Sequence, residues 1–273
     1  MKTTILINPQ WQGEGRNPTY YGAQEIKQLY LKDRPFIEVP VDPDSPLDRR
    51  HDIFGFDIIK QQMKAARRLL DEAEAKRVVT IGGSCSADIP SAAYLNHRYG
   101  GDMALIYIDA HGDLNSPEES PSGLLYGMPA RVLLGDDGGL FGDIVTTPLL
   151  HEQLIHLAVR GWDKTEWNYL TTHAMRHIPF DQLEADPRQV VDQLKAMGFS
   201  RVYIHLDVDV LDSEYFQNMT LPGSPGMKPQ TLLKILGHIK ETLPIVGIGI
   251  YQYAPGGKTN DVFGSIMDFA LGI

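Results

Sequence analysis

The chain is expected to fold as an α/β protein built on a mostly parallel sheet, and three observations predict it. Short runs of almost uninterrupted apolar, largely β-branched residues recur along the sequence; segments with helical period lie between several of them; and polar, ligand-type residues cluster where the runs stop. Continuous apolar strands alternating with helices indicate a parallel sheet covered on both faces. The N-terminus, residues 1–7, is too short for a signal peptide and reads as an opening strand whose apolar run is 4–7. Residues 36–39 give the second strand. Residues 57–75 give the clearest helix, because Ile58, Ile59, Met63, Ala66, Leu69, Leu70 and Ala73 form one stripe. Strands are expected at residues 77–81, 104–108, 154–159, 202–206 and 245–250. Helices are expected at 186–197, with Asp186 as cap and Pro187 in the opening turn, and at 229–239, with Pro229 in the same role. The Pro-, Gly- and Ser-rich stretches 8–21, 115–125 and 213–226 are long loops, which in such folds usually carry function at the carboxyl ends of the strands.

Composition narrows the function. With 42% hydrophobic and 22% charged residues, the sequence fits an ordinary soluble globular protein, and no linker or repeat divides 1–273, so a single domain is expected. Twenty-five basic against 35 acidic residues give a formal charge of -10, which argues against nucleic acid and anionic membrane as partners and leaves a small molecule. No apolar run approaches the roughly 18–20 residues of a membrane span. A single cysteine, Cys85, excludes an internal disulfide and is compatible with a reducing cytoplasm.

The chemistry is concentrated in three clusters: Gly82-Gly83-Ser84-Cys85-Ser86, Asp109-Ala110-His111-Gly112-Asp113 and Asp207-Val208-Asp209. Each follows an apolar strand. If the strand geometry continues, Asp109, His111 and Asp113 face one way together, as do Asp207 and Asp209. One Asp at a strand end is ordinarily a cap or a turn residue. Five ligand-type side chains at one sheet mouth would repel one another strongly unless a cation lay between them.

The sequence Asp109-Ala110-His111-Gly112-Asp113-Leu114-Asn115, the sequence Leu206-Asp207-Val208-Asp209-Val210-Leu211-Asp212 and the run Ser122-Gly123-Leu124-Leu125-Tyr126-Gly127-Met128-Pro129 resemble signatures of the arginase/agmatinase/formimidoylglutamase (ureohydrolase) superfamily. The glycine loop at 82–86, residues 222–226 and residues 251–255 match more loosely, so the resemblance covers most of the chain. It implies a three-layer α/β/α sandwich of arginase type and two divalent metal ions, manganese first. A hydroxide shared by the two ions would attack the carbon of a linear amidine or guanidino group. Carried over residue by residue, it makes Asp109 and Asp207 bridging ligands, with His111 and Asp209 completing one site and Asp113 in the other. Asp113 would also steer the hydroxide and move its proton to the leaving nitrogen.

Three positions depart from the pattern. The glycine loop of the family carries Asp-His, the His being a metal ligand, where Ser84 and Cys85 stand here. A Cys85 thiolate would favour Zn, Fe, Co or Ni over Mn, whereas an inert buried thiol would leave that metal with carboxylates and water. Tyr126 replaces an imidazole that shuttles protons, and titrating near pH 10 it is a poor shuttle, though it can wall a pocket. Gln252 replaces a Glu that receives a guanidinium, which keeps an acceptor and loses a charge. Asn115 and Ser122 lie where related arginases hold a substrate carboxylate, and Asp163 lies near an amine-binding position. Trp162 and Trp167 are read as core aromatics; His205, on the face of Asp207 and Asp209, is read as a core histidine with its hydrogen bonds satisfied, ahead of the alternative that it donates a hydrogen bond to a metal ligand. His51, His97, His151, His156, His173, His177 and His238 match no ligand pattern and are read as surface or capping residues. Gly82-Gly83 lacks the residues that make a phosphate loop. The expected activity is therefore metal-dependent hydrolysis of a carbon–nitrogen bond in a small amidine or guanidino compound, by a cytoplasmic protein that forms trimers or hexamers as its relatives do. Two other readings stay open: an amide hydrolase acting on a neutral substrate, and a non-catalytic relative with a degenerate metal site.

Overall fold

The computed structural model describes residues 2–273, so Met1 of the expected opening strand lies outside the described residues. Strand β1 (Thr4–Asn8) is followed by α1 (Pro18–Ile26), which runs on through a π-turn to Leu31. Next come β2 (Ile37–Glu38), a small antiparallel hairpin of β3 (Arg49–Arg50) and β4 (Ile53–Phe54), and α2 (Phe56–Glu72). The central part contains β5 (Val78–Gly82), α3 (Ile89–Arg98), β6 (Ala104–Ile108), α4 (Pro129–Leu133), β7 (Leu154–Leu157), α5 (Lys164–Thr172) and β8 (Arg176–Ile178). The chain ends with α6 (Phe180–Ala185), α7 (Gln189–Met197), β9 (Val202–Asp207), α8 (Pro229–Thr242), β10 (Ile245–Tyr251) and α9 (Asp261–Leu271).

Eight strands form one sheet in the order β2-β1-β5-β10-β9-β6-β7-β8, with every neighbouring pair parallel. Alternation along each strand sends side chains to opposite faces, and two apolar cores result. On one face Ile7, Val79, Ile106, Ile204 and Ile248 meet α1, α7, α8 and α9; on the other Leu6, Val78, Leu105, Tyr203 and Val246 meet α2, α3 and α4. This is the three-layer α/β/α sandwich. The consecutive strands β5 and β6 are separated in the sheet by β10 and β9, which opens a crevice beyond their carboxyl ends where ligands of such sheets bind. All three polar clusters emerge there. Among the described residues no helix is long and apolar enough to cross a membrane.

The expected helix at 186–197 begins later. Asp186 is extended (φ -147°), its Oδ1 accepts a hydrogen bond from the Arg188 N–H at 3.0 Å, and the helix starts at Gln189. The physical reason is Pro187, which disfavours a helical conformation at the residue before it. Strand β8, with half-buried Arg176 and His177, has none of the apolar continuity that marked the other strands.

Candidate metal centre

The chain turns at the ends of β6 and β9 by the same local device. Asp109 Oδ1 accepts from the His111 N–H at 2.7 Å, and Asp207 Oδ1 accepts from the Asp209 N–H at 2.8 Å. Each is an Asx-type turn in which the carboxylate bonds the backbone two residues on. The ligand-type residues therefore converge by turning, and not by continued strand alternation as the sequence suggested. Beyond Ile108 the strand gives way to an isolated bridge from His111 to Gly161, and Asp113 adopts a left-handed backbone (φ 53°). Arg160 fastens the second turn, its guanidinium donating to the carbonyls of Asp209 (2.8 Å) and Val210 (3.2 Å).

The glycine loop has a packing role. A Cβ on Gly83 would run into the backbone carbonyl of Gln10, and the Ser84 N–H donates to that carbonyl at 2.7 Å. Ser84 then caps a single 3₁₀ turn, Cys85–Asp88, which turns Cys85 inward. Its thiol donates to Asp207 Oδ2 at 2.8 Å and lies 3.6 Å from Gln252 Nε2.

Two groups of donors result, each with its atoms within 4.8 Å of one another: Cys85, Asp109, Asp113 and His205; and Asp109, His111 and Asp209. Asp109 belongs to both, and Asp207 lies against the first through Cys85. His111 Nδ1 is 3.1 Å from Asp209 Oδ2 and 3.4 Å from Asp109 Oδ1. Whether these residues fit a cation is answered by the atoms left over: Asp109 Oδ2, Asp209 Oδ2 and His205 Nε2 are buried and have no hydrogen-bond partner. Unpaired buried polar atoms are costly, and carboxylates more so. Two divalent cations would satisfy all three, so the residues fit.

The electrostatics agree. Burial, and then the charge of Asp109, push the Asp113 carboxyl well up; burial and Asp209 do the same for Asp207, and burial and Asp109 raise Asp209. Burial also raises the Cys85 thiol, with Asp207 adding to it. For Asp109 burial pulls upward, but His111 and His205 override it and hold the carboxyl at about 2. Burial lowers both imidazoles, yet the neighbouring carboxylates win: Asp109 and Asp209 hold His111 far above its ordinary value, and Asp109 and Asp88 hold His205 at about 9. A cation entering this centre therefore displaces protons. Its apparent affinity is expected to rise with pH from 6 to 8, by about tenfold per pH unit for each proton displaced, and to fall as pH drops. Chelator competition at the two pH values measures this, and a pH-independent affinity would contradict it.

A cavity of ≈ 200 Å³ opens on the centre, lined among others by His111, Asp113, Asn115, Tyr126, Asp163 and Glu166. It is smaller than the roughly 300–1,000 Å³ of drug-sized clefts, which limits its ligand to a small molecule. Asn115 donates to Asp163 Oδ2 at 2.9 Å at its rim. Ser122 is exposed and shares with Tyr126 the wall to a second cavity of ≈ 490 Å³, onto which Glu14 and Arg16 open. Burial raises the Tyr126 phenol, so it keeps its proton near neutrality. Gln252 is held in a left-handed backbone (φ 63°), and its amide is fully used: Nε2 donates to Glu14 Oε2 at 2.8 Å and Oε1 accepts from Thr220 at 2.6 Å. Trp162 is partly buried over Gly112, where a Cβ would overlap its ring, whereas Trp167 is 42% exposed and not core.

Several residues of the centre escaped sequence reasoning. Glu14 is only 2% exposed and brings a carboxylate beside Gln252. Glu166 accepts from the N–H groups of Leu114 (3.0 Å) and Asp163 (2.9 Å), tying the two rim loops together, and burial lifts its carboxyl to about 7. Tyr107 donates to Asp113 Oδ2 at 2.7 Å. His156 is fully buried, not on the surface, with Nε2 2.9 Å from the Gly112 carbonyl and its imidazole lowered by burial to about 4. Asp88 and His205 form a buried pair at 2.9 Å, so only one ring nitrogen of His205 is satisfied. The one available signal was Asp88, a charged residue three places beyond Cys85 in the same loop.

A parallel eight-stranded α/β/α sandwich with two carboxylate–imidazole donor groups at the strand ends defines an α/β protein with a candidate metal centre. Comparison with known proteins makes this specific: the model of the Arginase family matches residues 13–266, and the chain belongs to that family. An arginase of Staphylococcus aureus (strain MRSA252) is 29% identical over 197 residues, 68% of this chain, and the chain spans 65% of that relative's length. In three dimensions the chain is similar to Entamoeba histolytica arginase in complex with L-ornithine (TM-score 0.87, 17% identity, 99% of this chain and 98% of that one). It is also similar to arginase from Bacillus caldovelox (TM-score 0.85, 19% identity, 100% and 97%). Formimidoylglutamase from Bacillus subtilis subsp. subtilis str. 168 is a further structural relative (TM-score 0.73, 18% identity, 98% and 84%). At such identities the structural likeness shows the fold.

Proposed function

We propose that the chain is a metal-dependent hydrolase of a carbon–nitrogen bond in a small linear amidine or guanidino compound. The observation that carries this reading is the pair of donor groups joined at Asp109, with three buried polar atoms that lack a hydrogen-bond partner. Asp109 would be shared by two divalent cations, with His111 and Asp209 on one, Cys85 and Asp113 on the other, and Asp207 beside Cys85. When bound, such cations polarise the substrate and lower the pKa of a water they share. Oxygen-rich coordination suits Mn²⁺, while the Cys85 sulfur shifts the balance toward Zn²⁺, Co²⁺, Ni²⁺ or Fe²⁺.

The remaining steps belong to the chain's own residues. Tyr107 holds Asp113 Oδ2, and Asp113 lines the cavity, where its carboxylate would take a proton from the attacking water and pass it to the leaving nitrogen. Tyr126 donates a hydrogen bond or walls the cavity and carries no proton back and forth. Gln252, its amide engaged, holds Glu14 in place, and the Glu14 carboxylate supplies the negative charge for an amidinium group. Asn115, Ser122 and Asp163 would meet the substrate's polar tail at the rim. Family membership supports treating 1–273 as one domain, a cytoplasmic setting and a homo-oligomer, trimeric or hexameric.

The test is release of urea or ammonia from a panel of guanidino, formimino and amide compounds, using protein loaded in turn with Mn²⁺, Zn²⁺, Co²⁺ and Ni²⁺. Turnover of a cationic amidine with at least one ion is expected. Turnover of neutral amides alone would replace the substrate class, and bound metal with no turnover of any compound would leave a non-catalytic binder.

A further inference from the structure

The His205 ring is fully buried and sandwiched: Tyr107 stacks on it at 3.8 Å between centroids and 5° between planes, and Tyr251 lies at 4.7 Å and 22°. Its Nδ1 is 2.9 Å from Asp88 Oδ2. Asp88 is fixed in turn, because its other oxygen accepts from the hydroxyls of both Tyr203 and Tyr251. Room for those rings is kept by glycines: a Cβ on Gly247 would run into Tyr203, and on Gly82 or Gly249 into Tyr251. A carboxylate accepting from Nδ1–H fixes the ring so that Nε2 is the atom offered to a cation, which displaces any proton held there on binding. That nitrogen has no hydrogen-bond partner, lies 3.6 Å from Asp109 Oδ2, and falls within the 4.8 Å cluster with Cys85, Asp109 and Asp113. An imidazole held by a buried carboxylate through one nitrogen, with the other aimed unpaired into a set of anionic donors, is the arrangement proteins use for metal-binding histidines.

We infer that His205 is a metal ligand, completing with Cys85, Asp109 and Asp113 a mixed sulfur–nitrogen–oxygen site, and that Asp88 is its positioning residue. The inference rests on the proposed metal-dependent function and deepens it by making the two sites chemically unequal. The His111 group offers oxygen and nitrogen donors only, whereas the His205 group adds sulfur and takes a borderline cation such as Zn²⁺ or Co²⁺ in preference to Mn²⁺.

The experiment compares the wild-type chain, D88N and H205Q, each stripped of metal and titrated with Zn²⁺ and Co²⁺ against a chromophoric chelator. The Co²⁺ visible spectrum and circular dichroism are recorded alongside. For D88N, affinity for one of two cations is expected to fall about 10–100-fold, the scale for losing an orienting carboxylate, with the second cation unaffected. H205Q should lose that cation and its sulfur-to-cobalt absorption. Wild-type affinity and an unchanged Co²⁺ spectrum in both variants would overturn the inference while leaving the metallohydrolase reading intact. Absence of any bound cation in the wild-type chain would overturn both. Should H205Q not fold, X-ray absorption of the Zn²⁺-loaded wild-type chain decides. An average of about one imidazole per zinc supports the assignment, and about one per two zincs overturns it, because only two histidines, His111 and His205, belong to the donor groups.

Discussion

Asp109→Asn is expected to remove both cations from the protein and with them all hydrolytic activity. No other residue belongs to both donor groups, and its Oδ2 is one of the three buried atoms without a partner. An amide of the same shape preserves the acceptor oxygen of the Asx turn to His111, so the loop should keep its course. It nevertheless removes the charge that two cations would share. Elemental analysis after metal loading, with circular dichroism as the control for folding, gives the readout. Two metals per chain in this variant, or activity that survives, would contradict the shared-ligand arrangement.

Glu14→Gln is expected to separate cationic from neutral substrates. Gln at this position can still accept from Gln252 Nε2, so the local packing persists and only the charge goes. A hydrogen bond to a charged group is worth about 1.5–3 kcal/mol, corresponding to roughly 10–150-fold. KM for an amidine or guanidino substrate should rise within that range, with little change for a neutral amide. The Glu14 carboxylate faces Arg16 at 3.2 Å, and the Arg16 side chain is 65% exposed, so a substrate cation can displace it at small cost. An unchanged KM for cationic substrates would show that Glu14 does not face them.

The sheet was legible because its strands are buried on both faces and so carry near-continuous apolar runs, as in Val78–Gly82, Ala104–Ile108 and Ile245–Tyr251. The short edge strand β8 carries polar residues and left no such trace. The acidic motifs could be read because carboxylates crowded at strand ends have few purely structural explanations. The way they converge could not, since it depends on side-chain-to-backbone turns at Asp109 and Asp207 and on a left-handed Asp113. Glu14, Asp88 and Glu166 stayed hidden for a different reason. Each reaches the centre only through contacts with distant parts of the chain: Glu14 with Gln252, Asp88 with His205, and Glu166 with Leu114. His205 read as an ordinary core histidine because one hydrogen-bonded nitrogen looks the same in sequence as two.

The most direct measurement is the number of divalent cations held per chain, by elemental analysis of wild-type protein purified without chelator and then loaded with Mn²⁺, Zn²⁺, Co²⁺ or Ni²⁺. Two cations per chain are expected, because two donor groups meet at Asp109 and leave three buried polar atoms to be satisfied. One cation or none after loading would contradict the binuclear centre and, with it, the proposed hydrolysis.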